Sequence, residues 1–123
     1  MPDVLIVDDD PDLRGMLAFC LADQGFVVRE ARDGEEALAI LADDPPDCMV
    51  LDLMMPRVDG FEVLERMRSD GIAWQTRVMI LTCKFDEKSF VRGWELGADE
   101  YLLKPADPDV VAGKLFDLCG VNH

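Results

Sequence analysis

The chain has 123 residues, half of them hydrophobic, and a formal net charge of −14. That length and apolar content suit a single domain over residues 1–123 with a real core, and exclude a disordered chain. The acidic excess argues against nucleic-acid contact by this domain.

No apolar run approaches 18 residues, so the sequence holds no transmembrane helix. "MPDVLIV" has neither the basic n-region nor the cleavage site of a signal peptide, which leaves the cytoplasm as the expected compartment. "VLIV" (4–7) is a continuous apolar run, as in a strand covered on both faces. It leads into Asp8, Asp9 and Asp10. Leu13, Met16, Leu17, Cys20 and Leu21 then recur at helical spacing, with Asp10 placed to cap the helix, Pro11 in its first turn and Gly25 after its end.

"FVVREA" (26–31) reads as the second strand, and "DGEEALAILADD" (33–44) as the second helix, stopped by Pro45-Pro46. "CMVLDL" (48–53) is the third strand and "VDGFEVLERMRSDG" (58–71) the third helix, with Phe61, Leu64 and Met67 on one face. "RVMILT" (77–82) is the fourth strand. "DEKSFVRGWELG" (86–97) is a fourth helix that Gly93 should weaken. "EYLLK" (100–104) and "DPDVVAGKLFDLCG" (107–120) complete the pattern. Five consecutive strand–helix units predict an α/β, doubly wound (βα)5 fold, a five-stranded parallel sheet with helices on both faces.

Ligands of such sheets bind beyond the carboxyl ends of the strands, at a topological switch point. There the sequence puts Asp8, Asp9 and Asp10 after strand one, Asp52 in strand three, Thr82 after strand four and Lys104 after strand five. Clustered carboxylates of this kind need full solvation or a cation, because two of them ~4 Å apart repel by roughly 4 kcal/mol at an effective dielectric of 20. Hard oxygen donors suit Mg2+, with Mn2+ as the alternative, and the lysine is a second cation for phosphate oxygens. Cys20, Cys48, Cys83 and Cys119 form no C-x-x-C pair and read as reduced, mostly buried thiols. The one histidine, His123, ends the chain, which removes Ser-His-Asp and Cys-His catalysis.

The joint pattern "VDDD", "LDLMMPRVDG", "ILT" and "EYLLKP" resembles the receiver domain of bacterial response regulators, the CheY-like superfamily, from Asp3 to about Cys119. The resemblance implies a flavodoxin-like sheet and a two-component or phosphorelay switch. It would take a phosphoryl group from the phosphohistidine of a histidine kinase or a histidine phosphotransfer protein. Asp52 matches the phosphoacceptor. Asp8 and Asp9 match the Mg2+-binding pair, with Asp9 the direct ligand, while Asp52 and the Met54 backbone carbonyl complete the metal set. Thr82 matches the switch hydroxyl, Lys104 the lysine that pairs with the phosphoryl group, and Tyr101 the aromatic expected to turn inward on activation. Lys104-Pro105 matches a cis peptide bond.

Self-catalysed transfer and autodephosphorylation are implied, without turnover as an enzyme. The reader of the switch would be a downstream protein or an output domain missing from this chain, acting on the surface of helix four, strand five and helix five. The last helix lacks the arginine-rich pattern of receivers that dimerise there, so a monomer or a weak phosphorylation-dependent dimer is expected. Two departures stand out. Cys83 follows Thr82 where a small residue is usual, and Lys84 follows at the site mouth; both should change phosphorylation kinetics.

Two other readings compete. A haloacid-dehalogenase-like phosphatase would use the D-x-D formally present in Asp8-Asp9-Asp10, but Asp12 stands where that family wants Thr or Val. A degenerate receiver acting as a binding module normally lacks a key residue, and none is missing here.

Overall fold

A computed structural model describes residues 2–120. His123, and the tail from Val121, lie outside the described residues. The elements alternate as β1 (Asp3–Val7), α1 (Pro11–Asp23), β2 (Val27–Ala31), α2 (Gly34–Asp43), β3 (Cys48–Leu51), α3 (Gly60–Asp70), β4 (Arg77–Thr82), α4 (Glu87–Glu95), β5 (Glu100–Leu103) and α5 (Pro108–Leu118). The strands form one parallel sheet in the order β2-β1-β3-β4-β5. This is the flavodoxin-like doubly wound arrangement that the alternating pattern predicts.

The strands are apolar throughout because both faces are covered. Leu5 and Val7 of β1 join Met49, Leu51 and Ile80 under α2 and α3, whose Leu41, Phe61 and Leu64 fill that layer. Val4 and Ile6 point the other way and meet Val50, Met79 and Leu81 under α1 and α5, through Leu17, Leu21, Leu115 and Phe116. This period-two division fixes the register, since a slip of one residue would exchange the two layers. In the register found, Leu5 pairs with Arg29 on one side and Met49 on the other.

Three strands are shorter than the sequence predicts, β5 by one residue because it ends at Leu103. Phe26 leaves β2 to stack its ring 4.4 Å from that of Phe116. β3 ends at Leu51, although the Asp52 N–H still donates to the Val7 carbonyl (3.0 Å). Strand geometry therefore carries Asp52 to the sheet edge, where its side chain turns into the loop.

Asp10 caps α1 as expected, its carboxylate accepting from the Asp12 and Leu13 N–H groups. Each of the other helices has the same device, with Asp33, Asp59, Asp86 and Asp107 as caps. Gly93 does not simply weaken α4. A Cβ there would lie 2.8 Å from Ile80 Cδ1, so the glycine lets the helix approach β4 closely. The cysteines are free, but only Cys48 is buried, and Cys83 is exposed rather than enclosed. Burial pushes the Cys48 thiol well above its ordinary range. No helix among the described residues is long and apolar enough to cross a membrane.

Candidate functional site at the carboxyl edge of the sheet

The order β2-β1-β3-β4-β5 reverses direction between β1 and β3, so the switch-point crevice opens where these two strands end. Asp8 and Asp52 stand at those ends, both buried. Lys104, one residue beyond β5, reaches across: its Nζ donates to Asp8 Oδ2 (2.8 Å) and to Asp52 Oδ2 (2.9 Å). The Lys104 N–H donates to the Thr82 carbonyl (2.9 Å), and the Lys104–Pro105 peptide bond is cis. The backbone orients the carboxylates as well. Asp52 Oδ1 accepts from the Met54 N–H (3.0 Å) and Asp8 Oδ1 from the Asp10 N–H (2.9 Å).

Carboxylate oxygens of Asp8, Asp9 and Asp52 all lie within 4.8 Å of one another. Asp8 and Asp52 are buried, while Asp9 faces solvent. Burial pushes the Asp8 carboxyl above its ordinary range, and the Asp52 charge adds to the rise, against the pull of Lys104 and the Asp10 N–H. Burial by itself would lower the Lys104 ammonium, but its bonds to Asp8 and Asp52 outweigh that and raise it. This donor set fits Mg2+: three hard oxygens converge with one side open to solvent, which leaves room for the waters and phosphate oxygens that Mg2+ keeps.

Thr82 and Tyr101 are joined to each other through Lys84. The fully buried Thr82 hydroxyl accepts from the Lys84 N–H (3.2 Å), and the Tyr101 hydroxyl donates to the Lys84 carbonyl (2.8 Å). Tyr101 is half-buried, its ring centroid 5.2 Å from that of Phe90, so its starting position is not the exposed one the sequence reading assumes. Burial raises the Tyr101 hydroxyl above its ordinary value. The Lys84 ammonium lies 3.9 Å from Asp86 Oδ1, and Met54 keeps its side chain exposed.

Sequence reasoning missed how tightly the loop after Asp52 is held. A Cβ on Gly60 would lie 2.4 Å from the Asp52 carbonyl oxygen, and one on Gly34 would lie 2.4 Å from the Val58 carbonyl oxygen. The signal was present as Gly34 and the Asp59-Gly60 pair, but one-dimensional spacing cannot say which backbone a glycine will meet. Arg14 was missed too; its guanidinium donates to the Asp8 carbonyl (2.7 Å).

The sequence model of the response regulator receiver domain matches residues 4–115. The chain belongs to the response regulator receiver domain family. This receiver domain is 44% identical over 102 residues to the response regulator MprA of Mycolicibacterium vanbaalenii, spanning 83% of this chain and 43% of that protein. It is 38% identical over 115 residues to the transcriptional regulatory protein AfsQ1 of Streptomyces coelicolor, spanning 94% of this chain and 50% of that protein. The chain thus spans about half the length of the curated relatives it matches.

Among solved structures, the receiver domain of the Francisella response regulator 1452 superposes with a TM-score of 0.90 at 31% identity, covering 98% of both chains. The chemotaxis protein CheY4 of Vibrio cholerae gives 0.88 at 32% identity, covering 96% of this chain and 98% of that one. These matches do not favour the phosphatase alternative.

Proposed function

We propose that this receiver domain is a phosphorylation switch, formed as one domain over residues 1–123, that takes a phosphoryl group onto Asp52. The observation that carries the reading is the convergence of Asp8, Asp9, Asp52 and Lys104 at the β1/β3 crevice. A carboxylate is a competent nucleophile for phosphoryl transfer, and positioning and cations supply most of the catalysis. Mg2+ bound by Asp8, Asp9, Asp52 and the Met54 carbonyl would neutralise charge on the phosphoryl oxygens.

The remaining work falls to the chain itself. The Met54 N–H and Lys104 hold the Asp52 carboxylate in place. An Asp52 oxygen bonds to phosphorus as the phosphorus–nitrogen bond of a phosphohistidine breaks, and the imidazole leaves with the electron pair. Lys104 then turns from the carboxylates to the new phosphoryl oxygens, and Thr82 supplies a hydroxyl to them. Water later attacks phosphorus, the bond from phosphorus to the Asp52 oxygen breaks, and inorganic phosphate leaves with Asp52 restored as a carboxylate, so the domain resets without acting on a separate substrate.

A histidine kinase or phosphotransfer protein is the donor class, and the cytoplasm, where four free thiols stay reduced, is the compartment. The reader is a downstream partner or output domain at α4, β5 and α5, where Tyr101 links to Thr82 through Lys84. The test is incubation with a small acyl phosphate and Mg2+, followed by intact mass. Wild type should gain one phosphoryl group and Asp52→Asn none; label mapping to Asp8 would overturn the assignment.

A further inference from the structure

Among the five helices, α4 is the least anchored to the core. Its buried residues are Ser89 and Gly93, whereas α1 buries Leu17 and Leu21 and α3 buries Phe61, Val63, Leu64 and Met67. The large apolar residues of α4 face outward: Phe90, Val91 and Trp94 are 39–46% exposed. Burial of apolar surface therefore contributes little to holding this helix in place.

Polar contacts to α3 take over that task. Arg92 of α4 pairs with Glu65 of α3. The same guanidinium lies 4.4 Å from the centroid of the Phe61 ring, so it is held by a ring face as well as by a carboxylate. Arg68 of α3 reaches back and donates to the Glu95 carbonyl at the last residue of α4 (2.5 Å), where a cation also meets the negative end of the helix dipole. At its other end, α3 begins at Gly60, against the Asp52 carbonyl, with the Gly60 N–H bonded to the Leu53 carbonyl (3.2 Å). The acceptor loop, α3 and α4 thus form one continuous line of contacts, separate from the Thr82–Lys84–Tyr101 connection.

We propose that Arg92 and Arg68 latch α4 to α3 in the resting protein, and that the latch opens on phosphorylation to free α4. The opening step rests on the phosphorylation reading above. Opening removes little apolar surface of α4 itself from the core, because its inward face carries only Ser89 and Gly93, and the core side chain it uncovers is Ile80 beneath Gly93. It moves the Phe90–Trp94 aromatic pair, whose ring centroids are 6.0 Å apart, relative to Tyr101. Arg92 and Arg68 would thereby set how much of the unphosphorylated protein already has α4 free.

The test is residue-resolved amide hydrogen exchange, with and without beryllofluoride as a stand-in for the phosphoryl group. Arg92→Gln removes the ion pair and the ring contact while keeping a good helix former. Lys88→Gln removes a cation from the same helix but not from the latch. In the resting state, the Phe90–Leu96 amides of Arg92→Gln should exchange about three to ten times faster than wild type, the size expected of a surface ion pair plus a cation–π contact. Lys88→Gln and the amides of α1 and α5 should be unchanged, and Arg68→Gln should share the Arg92→Gln effect. With beryllofluoride bound, α4 exchange in wild type and Arg92→Gln should converge.

Unchanged α4 exchange in the resting variant, or equal acceleration in every helix, would overturn the latch. The same difference persisting with beryllofluoride would make the contacts a static brace and overturn the opening step. A protein that takes up neither acyl-phosphate label nor beryllofluoride would sink the phosphorylation reading and the opening step with it. The resting comparison, which uses no phosphoryl donor, still decides the latch.

Discussion

Lys104 Nζ, 2.8 Å and 2.9 Å from its two carboxylate partners, holds together groups that would otherwise repel across a buried gap. Removing it leaves two buried carboxylates without their cation, so Lys104→Met should cost about 3 kcal/mol in divalent-free buffer. Asp8 carries the opposite sign. Burial raises its carboxyl in the folded state, so its ionised form is less favourable there than in the unfolded chain. Asp8→Asn should therefore stabilise the protein at pH 7 without divalent cations, by about 1 kcal/mol or roughly 3–6 °C in Tm. It should also return part of the Lys104→Met loss.

The sign of the pH dependence follows. The cost of ionising Asp8 is fully present above its raised folded value and vanishes as pH falls toward the ordinary 3.8, so the advantage of Asp8→Asn should shrink toward pH 4. The raised Lys104 ammonium contributes stability that is fully present below 10.5 and is lost as pH climbs through its folded value. Thermal unfolding across pH checks each point, and an Asp8→Asn advantage that grows as the solution is acidified would refute the burial argument. Asp8, Asp52 and Lys104 were legible in the sequence because each stands at the end of an apolar run. Their mutual bonds were not, because the resemblance names the partner of Lys104 in the phosphorylated state and says nothing of the resting one.

The glycines of the helices separate local propensity from packing. Gly15 lies inside α1, and a Cβ there would meet nothing within 4 Å. Gly15→Ala should stabilise the domain by about 0.8 kcal/mol through helix propensity. Gly60 opens α3 against the Asp52 carbonyl, where a Cβ would sit 2.4 Å from backbone oxygen. Gly60→Ala should cost about 2–3 kcal/mol, in the range of overpacking a tight contact. It should also slow acyl-phosphate labelling, because the loop bearing Asp52 must shift. Denaturant unfolding and labelling rates test the pair, and a Gly60→Ala protein with normal stability would mean the loop yields without strain. The ten elements themselves were readable, since five apolar runs alternate with amphipathic stretches bounded by Asp, Pro and Gly. The fit of α4 was not readable. Gly93 looks like a flaw in a one-dimensional pattern and becomes a point of close approach only once Ile80 lies beneath it.

Across the whole molecule, part of the charge of −14 has an architectural source. In a parallel sheet with helical crossovers, every helix begins at the edge where the strands end. Here each helix is capped by aspartate, through Asp10, Asp33, Asp59, Asp86 and Asp107. Five caps therefore ring the edge that also holds Asp8, Asp9 and Asp52, and the field there should concentrate cations. Stability should accordingly respond to cations in two separable ways. Monovalent salt screens the general repulsion, so NaCl should raise Tm slightly and equally in wild type and Asp9→Asn. Mg2+ should add a specific increment by binding the folded state, about 1.4 kcal/mol at ten times its dissociation constant. Asp9 is the exposed member of the three-carboxylate cluster, so Asp9→Asn removes one carboxylate from it without disturbing the buried Lys104 contacts. In thermal unfolding at matched ionic strength, wild type should therefore be more stable in MgCl2 than in NaCl, and Asp9→Asn should show no such difference. An increment that survives in Asp9→Asn would move the Mg2+ effect from the crevice to the acidic rim as a whole.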